Sequence, residues 1–97
     1  MERIRVLIAD DHRVVREGLS AILKTKDNIE VVGEAQDGQE AVEQARALLP
    51  DVILMDVSMP RMTGVEATRA IKREFPHIGV VALTMYEEQQ YIFDLVR

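Results

Sequence analysis

Four apolar residues, Val52-Ile53-Leu54-Met55, run without a break into Asp56, and Val57-Ser58-Met59-Pro60 follows at once. A short unbroken apolar run reads as a strand buried on both faces, which is the pattern of a parallel sheet. Pro60 lacks an N–H and restricts Met59, so the strand cannot continue comfortably through these residues. The chain therefore holds one carboxylate, Asp56, at the carboxyl end of a central strand and at the mouth of a loop. In open α/β sheets ligands bind at that edge.

The same pattern recurs along the chain. Ile4–Ala9 is a second apolar run, and it ends in Asp10-Asp11. The spacing of Val15, Leu19, Ile22 and Leu23 predicts a helix over 12–24, with Asp11 placed to cap it. Ile29–Ala35 partly alternates, which reads as an edge strand, and Asp37-Gly38 makes the next turn. Ala41, Val42, Ala45 and Leu48 mark a helix over 39–49 that Pro50 ends. Thr63 with Glu66 three residues on is a capping box, and its helix runs through Val65, Thr68, Ile71 and Lys72 and stops before Pro76. Gly79–Leu83 is a fourth strand, ending at Thr84, and Ile92, Leu95 and Val96 give a final helix over 87–97 its apolar side. Alternating strands and helices imply parallel βαβ units with right-handed crossovers.

With 97 residues there is room for one small domain. The absence of cysteine excludes a disulfide framework and thiolate metal sites, and fits a reducing compartment. No apolar run approaches a membrane span, and Met1-Glu2-Arg3 opens no signal-peptide pattern, so the expected location is cytoplasmic. A net charge of −5 argues against this segment gripping a phosphate backbone by itself.

Functional groups stand at three strand ends: Asp10 and Asp11, Asp56, and Thr84. If those strands are neighbours, parallel geometry gathers all four groups at one edge of the sheet. Close carboxylates cannot all stay ionised cheaply unless a cation joins them. An oxygen-only donor set points to Mg2+. A divalent ion held by Asp10 or Asp11 together with Asp56 leaves an Asp56 oxygen free as a nucleophile toward phosphorus. The ion would neutralise charge on the transferring phosphoryl group, and the Thr84 hydroxyl would donate to it.

At these residues the chain resembles the receiver, or phosphoacceptor, domain of two-component response regulators. The resemblance rests on the Asp10-Asp11 pair, Asp56 within Asp-Val-Ser-Met-Pro-Arg-Met-Thr-Gly, and Thr84 in Ala-Leu-Thr, in order along the whole chain. Ile-Ala-Asp-Asp-His-Arg-Val-Val-Arg-Glu-Gly-Leu and Leu-Thr-Met-Tyr resemble the NarL/FixJ (LuxR-type) subgroup, whose members usually carry a C-terminal helix-turn-helix. The resemblance implies a flavodoxin-like (CheY-like) doubly wound parallel sheet, order 2-1-3-4-5 in the full family fold. It also implies that Asp56 accepts phosphate from a sensor histidine kinase. Asp11 and Asp56 would bind Mg2+ by side chain, Asp10 through water or hydrogen bonding, and Ser58 through its backbone carbonyl, with Thr84 as the switch hydroxyl. The implied role is that of a signalling switch, not a turnover enzyme. It would control transcription through a DNA-binding domain absent from this sequence, with a homodimer as a possible assembly.

The sequence departs from that pattern at its end. It reaches only the fourth helix, without the family's fifth strand, the lysine at that strand's end, or the fifth helix. Residues 1–97 therefore read as a receiver domain that is C-terminally incomplete. Two other classes compete. A haloacid-dehalogenase-like phosphohydrolase also uses a strand-end aspartate and Mg2+, but Ser58 stands where its general acid would be. A receiver-like interaction module without phosphorylation fits the missing lysine but not the intact acids. Taken singly, several residues have structural readings: Asp11 and Thr84 as helix caps, Met59-Pro60 as loop architecture, and His12 as solvated. Glu40, Glu43, Arg69, Lys72 and Arg73 read as solvated helix faces.

Overall fold

The computed structural model describes residues 3–59 and 61–83. In chain order it has strand β1 (Ile4–Ala9), helix α1 (Arg13–Lys24), β2 (Ile29–Ala35), α2 (Gly38–Leu48), β3 (Val52–Asp56), α3 (Gly64–Glu74) and β4 (Gly79–Leu83). The strands form one parallel sheet in the order β2-β1-β3-β4, the doubly wound flavodoxin-like arrangement. All four strands have the bounds their apolar runs predict. Residues 84–97, with Thr84 and the expected last helix, lie outside the described residues, as does Pro60.

The two middle strands explain the continuous apolar runs. Leu7, Ile8, Ala9, Ile53 and Met55 are fully buried, because helices cover both faces of a parallel sheet. A bulge in the β1–β2 ladder sets Leu7 opposite Gly33 where Val6 faces Val31, so Val32 is the extra residue. The sheet packs against Ala41, Val42 and Ala45 of α2 and Ala67 and Ile71 of α3.

The capping box forms as expected. The Glu66 N–H donates to Thr63 Oγ1 at 3.2 Å, and the Thr63 N–H donates to Glu66 Oε1 at 3.0 Å. At α2 the cap is Asp37, which the turn reading had not singled out: its Oδ1 accepts from the Glu40 N–H at 2.7 Å. Glu40 turns back to accept from the Gln36 N–H at 3.1 Å, so it is not a purely solvated residue. Nor is Lys72, whose Nζ donates to the carbonyls of Pro76 and Ile78 at 3.0 and 2.7 Å and closes the turn into β4.

Helix α1 differs from expectation in two ways. It begins at Arg13 with His12 as N-cap and no side-chain capping bond, so Asp11 is not its cap. Asp11 lies one residue too early, and the local bond belongs to Asp10, whose Oδ1 accepts from the His12 N–H at 2.8 Å. Its predicted stripe also holds only in part. Ser20 is its buried residue, Val15, Leu19 and Leu23 are half-buried, and Ile22 is 60% exposed. The side facing the sheet is the one carrying Arg16, whose guanidinium is bonded to the end of β1 and to β2.

Candidate functional site

Parallel pairing brings the acids together. Ala9 lies opposite Met55 across β1 and β3, so Asp10 leaves β1 beside Asp56 at the end of β3. Carboxylate oxygens of Asp10, Asp11 and Asp56 and a ring nitrogen of His12 all lie within 4.8 Å of one another.

Each residue is fixed by local structure. Asp10 is 2% exposed, and its N–H donates to the Ala35 carbonyl at 3.0 Å, which extends the β1–β2 ladder by one bond. Asp56 is 4% exposed, and its Oδ1 accepts from the Ser58 N–H at 3.2 Å. That bond folds the chain back over the end of β3. The Gly64 N–H then donates to the Val57 carbonyl at 3.0 Å, and a Cβ on Gly64 would collide with the Asp56 carbonyl oxygen. Only glycine lets the start of α3 approach this closely.

A second support stands behind the loop. Arg61 adopts a left-handed backbone, φ 66°, and its Nη2 donates to Asp37 Oδ2 at 2.7 Å. The Glu40 N–H bond and the Arg61 charge hold the Asp37 carboxyl below the usual carboxylate range. The loop after Asp56 is therefore tied to the cap of α2.

The structure brings Asp10, Asp11 and Asp56 together as the sequence predicts. Ser58 is exposed and adjoins Asp56 through its N–H. Thr84 lies outside the described residues. His12 is 54% exposed, in keeping with the solvated reading, and its Nδ1 also stands 3.1 Å from Asp10 Oδ1 and 3.0 Å from Asp11 Oδ1, so it borders the cluster. Its place directly after the acid pair was the available signal. Arg16 was also missed, because nothing in its spacing distinguishes it from a solvated helix residue.

The pocket fits a hard divalent cation. Three carboxylates converge, two of them buried, and among the described residues no lysine or arginine ion-pairs with any of them. Burial drives the Asp56 carboxyl up to about 6; the Ser58 N–H opposes the rise, and the Asp10 and Asp11 charges add to it. His12 is raised as well, first by its hydrogen bond to Asp10 and then by the Asp11 charge. Both protons oppose a cation. Mg2+ affinity is therefore expected to fall as pH is lowered through the His12 and Asp56 titrations, by about tenfold per pH unit or more once Asp56 is mostly protonated. Calorimetric titration with Mg2+ across pH 5–8 checks this, and a flat profile would contradict it.

The family described as response regulator receiver domain matches residues 6–97. The response regulator protein VraR of Staphylococcus saprophyticus is 49% identical over 90 residues, covering 93% of this chain and 43% of that protein. The chain thus spans less than half the length of this curated relative. Among solved structures, the receiver domain of the putative response regulator NarL from Mycobacterium tuberculosis superposes with a TM-score of 0.85 at 35% identity, covering 98% of this chain and 77% of that one. The isolated receiver domain of RcsB from Salmonella enterica, determined in the presence of phosphomimetic BeF3−, gives 0.85 at 31% identity, covering 97% of this chain and 72% of that one.

Proposed function

The chain belongs to the response regulator receiver domain family of two-component systems, and on that premise we propose that Asp56 is its phosphoacceptor, phosphorylated by a sensor histidine kinase. The observation that carries this reading is the convergence of Asp10, Asp11 and Asp56 at one edge of the sheet. An ionised Asp56 oxygen attacks phosphorus, an acyl-phosphate O–P bond forms, and the donor's P–N bond breaks with its electron pair leaving on the kinase imidazole. The Ser58 N–H fixes the rotation of the attacking carboxylate, and burial keeps bulk water from solvating it.

The residues assigned to Mg2+ are Asp11 and Asp56 by side chain, Asp10 through water or hydrogen bonding, and the backbone carbonyl of Ser58. Bound there, the ion neutralises charge on the transferring phosphoryl group. Thr84 is assigned the switch hydroxyl because Leu83, paired with Asp56 across β3 and β4, precedes it in sequence. The proposal extends to control of a helix-turn-helix output that binds DNA, a reading supported by the likeness to RcsB of Salmonella enterica, whose structure is known bound to promoter rprA. Among the described residues no helix is long and apolar enough to cross a membrane.

Intact mass after incubation with Mg2+ and acetyl phosphate tests the proposal. The expected result is a gain of one phosphoryl group that EDTA prevents. No gain from a chain shown by circular dichroism to be folded would overturn it.

A further inference from the structure

The Arg16 side chain reaches from α1 to two other elements at once. Its Nη1 donates to the Asp10 carbonyl at 2.6 Å, and its Nε donates to Glu34 Oε1 on β2 at 3.0 Å. The Arg16 side chain is only 15% exposed and its bond to the Asp10 carbonyl is partly buried, whereas Glu34 meets it from the solvent side. The peptide groups flanking the Asp10 side chain are thus both engaged: its N–H by the Ala35 carbonyl, and its C=O by Arg16. A guanidinium is a planar fork with donors at fixed angles, so the Glu34 carboxylate orients the group that grips Asp10. A lysine could reach one of these partners but could not hold both in fixed geometry.

We infer that Arg16 is a positioning residue for the metal pocket, setting the orientation of the Asp10-Asp11 peptide through the Asp10 carbonyl, with Glu34 as its orienter. The inference rests on the reading of those aspartates as metal-side carboxylates. Losing a partner that orients a ligand typically costs roughly 10–100-fold in metal affinity. Charge alone would act in the opposite direction. Arg16 is a cation close to a cation site, so its removal would tighten Mg2+ binding if electrostatics were its whole contribution. A positioning role makes the same removal weaken binding. It also predicts a change in selectivity, because Mg2+ demands near-ideal geometry while Ca2+ tolerates a looser site.

The test is calorimetric titration of the whole chain with Mg2+ and with Ca2+, comparing the unsubstituted protein with Arg16→Gln, Arg16→Lys and Glu34→Gln, well below each variant's melting temperature. Arg16→Gln is expected to raise the Mg2+ Kd by roughly tenfold and to raise the Ca2+ Kd by less, so that discrimination narrows. Arg16→Lys should recover part of the loss. Glu34→Gln should fall between the unsubstituted protein and Arg16→Gln, and it carries the test if Arg16→Gln does not fold. Unchanged or tightened Mg2+ binding in folded Arg16→Gln overturns the inference, as does an equal loss for both ions. If the unsubstituted chain itself binds no Mg2+, the metal reading of the pocket fails, and the role of Arg16 fails with it.

Discussion

Asp56→Asn is expected to abolish phosphoryl labelling by acetyl phosphate while leaving the fold intact and more stable at neutral pH. The first effect follows from chemistry: an amide is not a nucleophile toward phosphorus, and no other carboxylate is assigned the acceptor role. Labelling that persists undiminished in the variant would remove Asp56 from that role. The second effect follows from linkage. Burial raises the Asp56 carboxyl to about 6 in the folded protein, above its ordinary value of 3.8. Between those two values the folded state keeps a proton that the unfolded state has released. Stability of the metal-free chain therefore falls as pH rises through that window, and above it the full cost is present. The amide removes a cost on the order of 2–3 kcal/mol, so the variant should melt higher above pH 6 and match the parent below pH 4. Thermal melts at pH 4 and pH 7.5 without Mg2+ decide the point. A variant less stable than the parent at pH 7.5 would show that the carboxylate is not under strain.

Gly64→Ala should have the largest structural effect. The added methyl would strike the Asp56 carbonyl oxygen and lie 2.9 Å from the Val57 Cα. Both neighbours are backbone and cannot move aside as a flexible side chain would. The loss should be about 3 kcal/mol or more, on the order of 15 °C in melting temperature for a domain of this size. Labelling should also drop in whatever fraction remains folded, since relief of the clash displaces the peptide that carries the acceptor. Gly18→Ala is the matched control: it lies within α1 with nothing within 4 Å of the new methyl, and it should be neutral or stabilising by about 0.5–1 kcal/mol. If Gly64→Ala melts like Gly18→Ala, the close approach of α3 to β3 is wrong.

The strands were legible because a two-sided parallel sheet writes itself as plain apolar runs, and β3 ends at the very carboxylate its sequence announces. The capping box was legible for a related reason, since both partners lie within one turn. The contacts that went unread are long polar side chains returning to distant backbone or carboxylates: Arg16 to Asp10 and Glu34, Arg61 to Asp37, and Lys72 to Ile78. Such bonds leave no periodicity, because their partners become neighbours only after the strands are ordered. The predicted stripe on α1 held at Val15, Leu19 and Leu23 and missed at Ile22. Hydrophobic spacing located the helix and most of its inner side, but gave no sign that Arg16 and Ser20 share that side. His12 is exposed as a lone histidine is expected to be, and what went unread is that its ring lies against the two acids immediately before it.

The parallel ladder between β1 and β3 also bears on how the chain knows it has finished folding. Asp10 and Asp56 belong to separate βα units and meet only when Ala9 lies opposite Met55. A slip of one residue would exchange the side chains that β3 packs against its two helix-covered faces and move Asp56 out of reach of Asp10 in the same motion. Core and pocket are thus written in one register, and an error in either is an error in both. A divalent ion that required the complete pocket would act as a proofreader, favouring only the correctly aligned sheet by mass action on that state alone.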